Sequence, residues 1–337
     1  MSTGIGLDAG QRWLVVAPHP DDEVLGTGAL LAALARAGAL VRVLLLTPGD
    51  NNPWPQRVLE RRWSIGPAER QRWGARRVAE CGEALRRLGH DPARVLRTLG
   101  WPDGEIRDDL MRDPESLVWR MAEELSEFEP THLVLPCADD CHPDHNGCAV
   151  IASLALGRMR HPPRSYAYLV HGPARVPPPV VLPLDAAARR HKLEALRSHV
   201  TQLALSRRRF EAYVRAEEGY YEDPFVDTTG AATDLRVHRD GDAFRIEIEP
   251  VHPPVWRLRR PRLELIWEDE GGGVRARMLK LGRRTPDDVA WRRQGRVLSV
   301  DLASSGGVRR LYAKVSTGLH GLWIYDQAGW RRARIVA

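Results

Sequence analysis

Cysteine is scarce in this chain of 337 residues, with four in all, too few for a disulfide scaffold. Long apolar runs are missing as well. The longest, Ala39–Leu46, is interrupted by Arg42 and falls far short of the roughly 20 residues a bilayer-spanning helix needs. No basic segment leads into an apolar stretch at the amino terminus, so no export signal is expected. Together these absences predict a cytoplasmic protein with reduced thiols and no membrane span. Lysine is nearly absent too, with only Lys192, Lys280 and Lys314 among 50 basic residues. So broad an arginine excess reflects genomic base composition as much as anion recognition, and nucleic acid is not expected as a partner. No internal repeat or low-complexity tract is found. Gly26-Thr-Gly28 lacks the third glycine and the Lys-Ser/Thr ending of a phosphate loop.

What is present is ordinary globular composition, 43% hydrophobic and 28% charged. The length suits two domains, or one large domain with an appendage. The net charge of +6 is unevenly spread: residues 234–337 hold 21 Lys and Arg against 13 Asp and Glu, and the remainder is slightly acidic. Up to about residue 222, apolar β-branched runs alternate with helical periodicity. Strands are expected at Trp13–Ala17, Val41–Thr47, Val95–Leu99, His132–Leu135 and Tyr166–Val170. Helices are expected at Gly28–Ala37, Arg70–Leu88, Pro114–Glu127, Asn146–Arg158 and from Ala186 to about Glu217, with a long loop over 48–68. Strands separated by helices predict an α/β, Rossmann-like layered sheet, mostly parallel. From Leu235 onward only short alternating segments remain, at 244–249, 262–267, 274–281, 297–302, 310–315 and 322–325, with Gly and Asp clusters between them. This predicts a smaller all-β domain, a sandwich or barrel. The boundary is placed near residue 232, giving domains 1–232 and 233–337.

Two clusters carry chemistry. Pro18-His-Pro-Asp-Asp-Glu23 directly follows the first strand, and His142-Pro-Asp-His145 follows the strand ending near Leu135. Ligands bind doubly wound sheets outside the carboxyl ends of the strands, so the two clusters can meet over one edge. Imidazole and carboxylate suit a borderline divalent metal. Two His and one Asp leave a coordination position open, the composition of a catalytic site. Taken singly, each cluster also reads as surface polarity, and Asp-Asp-Glu as a helix cap.

The combination resembles the LmbE/PIG-L family of zinc-dependent N-acetylglucosaminyl deacetylases, whose hallmarks are Ala-His-Pro-Asp-Asp-Glu and a downstream His-Pro-Asp-His. Arg77-x-x-Glu80-x-x-x-Ala84-x-x-x-Leu88-Gly89, Asp103-Gly104 and Lys192…His199-x-x-Gln202 are similar to further family segments. The resemblance covers about residues 11–222 and leaves the last third uncovered. It implies His19, Asp22 and His145 as ligands of one zinc (Fe(II) being possible), Asp21 as general base, and a protonated His142 as donor to the oxyanion. It also implies that Arg77 and Asp103 contact the sugar or its aglycone. Asp144 reads as the residue orienting a neighbouring imidazole, Glu23 as loop support and His199 as a packed histidine. The activity implied is removal of an N-acetyl group from an N-acetylglucosamine-type or other aminosugar glycoconjugate, by attack of an activated water on the amide, in a possible homo-oligomer.

Three alternatives stand beside this one. The same metal site would cleave a different amide, such as a thiol conjugate of an aminosugar. Two His and a carboxylate also make the facial triad of Fe(II) oxygenases, although the spacing and the extra acid, Asp21, favour hydrolysis. Finally, the basic last third with its five tryptophans reads either as a carbohydrate- or anion-binding module or as an ordinary core with a solvated arginine face. Cys137, Cys141 and Cys148 lack knuckle spacing and read as small buried side chains rather than ligands.

Overall fold

The computed structural model of the chain describes residues 5–172, 174–226, 228, 234–240, 243–249, 262–280, 289–295, 297–303, 307–316, 325–326 and 328–336. The first half runs β1 (Arg12–Ala17), α1 (Asp22–Leu25), α2 (Gly28–Ala37), β2 (Leu40–Leu45), α3 (Pro53–Glu60), α4 (Pro67–Arg87), α5 (Pro92–Val95) and β3 (Leu96–Thr98). It continues with α6 (Ile106–Arg112), α7 (Pro114–Phe128), β4 (His132–Pro136), α8 (Pro143–Leu156) and β5 (Arg164–Tyr168). The five strands form one parallel sheet in the order β3-β2-β1-β4-β5. Strand β1 is apolar from Trp13 to Ala17 because both its faces are covered. Trp13, Val15 and Ala17 point into a core with α2 and α4, whereas Leu14 and Val16 point into a second core with α6, α7 and α8. The strand order reverses between β1 and β4, so the crevice outside their carboxyl ends is where such a sheet binds ligands.

Helix starts account for most departures from the expected boundaries. Prolines at the first helical turn begin α3 inside the expected loop, start α4 at Pro67 and start α8 at Pro143, within the second motif itself. Beyond β5 come β6 (Val180–Pro183), α9 (Ala186–Leu196), α10 (Val200–Leu203), α11 (Arg207–Glu211) and β7 (Glu217–Tyr220). The helical stretch expected from Ala186 is therefore broken into three pieces and ends in a strand paired with β6. No helix among the described residues is long and apolar enough to cross a membrane.

The last third holds β8 (Asp234–Asp240), β9 (Ala243–Glu249), β10 (Arg262–Asp269), β11 (Val274–Lys280), β12 (Val289–Gln294), β13 (Val297–Ala303), β14 (Val308–Ser316), β15 (Arg331–Arg332) and β16 (Arg334–Val336). They make two sheets, β11-β10-β14-β15 and β12-β13-β9-β8-β16, antiparallel except for the β16–β8 pair. Leu235, Ile246 and Val300 of one sheet share a core with Leu263, Leu265 and Leu311 of the other, which makes the arrangement a sandwich. Most of the expected boundary at 232 and most of the strand expected over 322–325 lie outside the described residues. Of the tryptophans here, Trp267 and Trp330 are buried and Trp291 packs against the core, so these three do not form an exposed binding face.

Strand β10 is buried on both sides. Leu263, Leu265 and Trp267 face the sandwich core, while Ile266, with Val274 and Tyr312, joins the second core beside α7 and α8. Two buried charges lie along this seam. Glu264 takes a bidentate pair from Arg107 of α6, and Lys314 of β14 reaches Asp326 at 2.6 Å and Glu264 at 3.8 Å.

Candidate metal centre

The chain leaves β1 through Pro18 and turns into α1 at Asp21, whose φ of 128° is a costly backbone state for a residue with a Cβ. That turn is held by Glu23, whose Oε2 accepts the Asp21 N–H at 2.9 Å and whose Oε1 meets His199 Nε2 at 2.8 Å. Across the crevice, His142 is the N-cap of α8, its Nδ1 accepting the Asp144 N–H at 3.2 Å. Because Nδ1 accepts, the proton of a neutral His142 sits on Nε2.

The two motifs converge. Asp22 Oδ2 lies 3.0 Å from His145 Nε2 and 3.2 Å from His19 Nδ1, and these two nitrogens are 3.3 Å apart. Four ligands at about 2.0–2.1 Å around a tetrahedral zinc sit roughly 3.3 Å from one another, so this triangle has the dimensions of three corners of such a site. Its charge fits as well. Burial alone would depress the His19 imidazole, but hydrogen bonds to Asp103, Asp144 and Asp22 hold it well above its ordinary range. His145, likewise opposed by burial, is pushed up to about 10 by Asp22 and Asp140. Burial opposes the charge on Asp22, but the two imidazoles outweigh it and hold the carboxyl well below its usual range. A pocket that raises two buried imidazoles is one with an excess of negative charge, as a cation site requires.

Carboxylates also orient the outer nitrogens. Asp144 Oδ2 is 3.1 Å and Asp103 Oδ1 3.3 Å from His19 Nε2, and Asp144 is fixed by the Gly104 and Ile106 amides. Asp140 Oδ2 is 3.2 Å from His145 Nδ1 and accepts the Val170 and His171 N–H groups, while its Oδ1 accepts the His142 N–H. Asp21 contributes something different: its Oδ2 is buried without a hydrogen-bond partner, 3.9 Å from Arg77. Burial, followed by repulsion from Asp22, pushes its carboxyl up to about 7. The His142 imidazole is held well below its ordinary value by burial, followed by repulsion from His19 and His145.

Residues 14–156 match the family model described as PIG-L: GlcNAc-PI de-N-acetylase. This stretch is a PIG-L domain. Over 147 residues the chain is 34% identical to a 1D-myo-inositol 2-acetamido-2-deoxy-alpha-D-glucopyranoside deacetylase of Mycobacterium avium (strain 104), covering 40% of this chain and 47% of that protein. A namesake from Rhodococcus erythropolis is 31% identical over 160 residues, covering 43% and 53%. The chain thus spans about half the length of the curated relatives it matches. Among solved structures, a conserved protein of Thermus thermophilus aligns at a TM-score of 0.48 and 25% identity, over 66% of this chain and 99% of that one.

His19, Asp21, Asp22 and His142 line a cleft of about 520 Å³. Arg77 lines it, and its guanidinium donates to the carbonyls of Pro20 and Gly49 at 2.8 Å and to Gln202 at 3.2 Å, bracing both loops. Gly49, at φ +67°, leaves the room this requires, since a Cβ there would collide with the guanidinium. Asp103 accepts the Asn51 N–H at 2.7 Å and faces the cleft beside His19. Asp140 and His171 were not singled out from the sequence. The first had a signal in standing two residues before the second motif. His171 lies past β5 and beyond the PIG-L match, yet its ring centroid is 5.1 Å from that of His145 and its buried Nδ1 has no hydrogen-bond partner. All four cysteines are free, and among the described residues none belongs to a cluster able to hold a metal.

Proposed function

We propose that the chain is a divalent-metal-dependent amide hydrolase that removes the acetyl group from an N-acetylglucosamine-type substrate. The observation that carries this reading is the triangle of His19, Asp22 and His145 with the unpartnered Asp21 carboxylate oxygen beside it. The deacetylase activity named for the 34%-identical relative supports it. His19, Asp22 and His145 would hold the metal, zinc best matching the N/O donor set. A cation held there polarises the acetyl carbonyl and lowers the pKa of water.

This chain's own residues supply the rest. Asp21, poised near neutrality, accepts the proton of the attacking water and passes it to the nitrogen as the C–N bond breaks, giving acetate and a free amine. Neutral His142 donates from Nε2 to the carbonyl oxygen as negative charge develops, so no imidazolium is needed. Asp144 and Asp103 hold the ring of His19, and Asp140 holds that of His145. Arg77 positions the Asp21 loop through Pro20. The domain division at 232 and a reducing, cytoplasmic setting for the four free thiols belong to the same reading.

The deciding experiment is an acetate-release assay across free, nucleotide-linked, lipid-linked and glycosidic N-acetylglucosamine, with and without chelator. Metal-dependent acetate from at least one substrate is expected. Release that persists after the metal has been stripped would defeat the proposal.

A further inference from the structure

Among the described residues lining the cleft, Tyr325 alone comes from the last third of the chain, far outside the stretch the family model matches. It is firmly placed. The Asp326 N–H donates to Cys141 O at 2.7 Å, and the Asp326 carboxylate takes Lys314 at 2.6 Å and Asn146 at 2.9 Å. Asn146 sits on α8, directly after His145, and also donates to Asp140 O at 3.0 Å. The backbone carrying Tyr325 is thus tied to the loop that orients His145 and caps α8 with His142.

The ring itself is 40% exposed, with its centroid 5.2 Å from His171 and 6.1 Å from His142, and its hydroxyl accepts from Arg209 at 3.3 Å. Trp54 and Leu205, also lining the cleft, are 61% and 50% exposed. A large aromatic face left open beside the reacting histidine contributes little to the core. It offers what the apolar face of a ring-shaped ligand needs, a flat surface whose polar edge stays hydrogen-bonded. Resting on the hydrolase reading, we propose that Tyr325 is a specificity-determining residue. In this assignment the carboxy-terminal sandwich supplies the wall on which the ring linked to the acetamido sugar (a second pyranose or an aryl aglycone) stacks.

The test compares Tyr325→Phe, which keeps the ring, with Tyr325→Leu, which keeps apolar bulk without it. Binding of p-nitrophenyl N-acetyl-β-glucosaminide and of N-acetylglucosamine is measured by calorimetry on the full chain carrying Asp21→Asn, so that the probes are not consumed. Tyr325→Leu should weaken the aryl glycoside about tenfold and the monosaccharide less than about threefold, while Tyr325→Phe holds both within about twofold. The proposal is overturned by equal losses for the two probes, by unchanged affinity in Tyr325→Leu, by Tyr325→Phe losing as much as Tyr325→Leu, or by no binding of the aryl glycoside in the parent. Acetate release is followed separately in the wild type. Binding with the expected pattern but without acetate release would sink the hydrolase reading and leave the stacking wall in place.

Discussion

Asp140→Asn isolates the carboxylate behind His145 without altering any of the three residues assigned to the metal. Asp140 is fully buried and accepts four hydrogen bonds: Val170 N–H, His171 N–H and His145 Nδ1 on one oxygen, His142 N–H on the other. An asparagine keeps most of these by placing its carbonyl at the busier position, which turns its NH₂ toward the His142 amide. One buried backbone N–H is then unsatisfied, at a cost of about 1–3 kcal/mol in stability. The imidazole also loses a charged acceptor for a neutral one, and the expected drop in metal affinity is about 10–100-fold, or about 1.4–2.7 kcal/mol. Zinc competition against a chromogenic chelator reads the affinity, and urea unfolding of the metal-free protein reads the stability. Asp139→Asn is the control. It removes the neighbouring charge, but Asp139 serves Thr228 and Arg331, not His145. It should cost stability and leave zinc affinity within about twofold, far short of the Asp140 effect. Equal loss of zinc affinity in both variants, or none in Asp140→Asn, would refute the orienting role.

Other outcomes follow from the same geometry. Asp21→Asn should keep its metal and lose about 10²–10⁴-fold in rate; loss of metal content instead would make Asp21 a ligand. Because the Asp21 carboxyl is raised to about 7, its ionisation opposes folding above its unfolded pKa. Metal-free Asp21→Asn should therefore be more stable than wild type, by a margin that grows from about pH 4 to pH 7 and then levels off; a pH-independent margin in thermal melts would contradict this. His19 and His145 are both raised, so at pH 7 zinc must displace protons from them. Its affinity should rise with pH, and calorimetry in buffers of different ionisation enthalpy should register proton release; binding without release would count against these ligands. Lys314→Met removes the buried ammonium that pairs with Asp326 and should cost about 3–5 kcal/mol in urea unfolding, whereas a loss below about 1 kcal/mol would mean the pair contributes little.

Much of this was legible in the chain itself. The run Trp13–Ala17 is apolar at every position because a parallel strand is covered on both faces. That the two motifs meet could be expected because each closely follows such a strand, whereas naming His19, Asp22 and His145 as the ligands rests on the resemblance to the LmbE/PIG-L family. The helix start at Pro143 was misplaced because a histidine-rich motif reads as a loop, although proline at the first turn announces a helix and makes His142 its cap. The burial of His142 between two other imidazoles, which lowers its pKa, is a tertiary fact that the motif does not carry. His171 and Tyr325 carry no local signal at all. They reach the cleft through the turn after β5 and through the Asp326–Cys141 bond, pairings that hydrophobic periodicity does not encode. Arg77 was expected at the sugar; that its guanidinium also ties the Pro20 and Gly49 carbonyls together is a pairing across 57 and 28 residues that the helix pattern does not encode.

The two-sided burial of β10 bears on how this chain can be dissected. A strand whose alternate side chains belong to different cores cannot be removed without opening both. Truncation before the sandwich would bare the flanks of α7 and α8 and take Glu264 from the guanidinium of Arg107, which would keep only its pair with the exposed Asp108 among those described, so an aggregating remnant is expected in place of a minimal enzyme. Exchange of the sandwich between homologues would have to carry Arg107 and Glu264 together, so the unit of inheritance here is the joint and not either half.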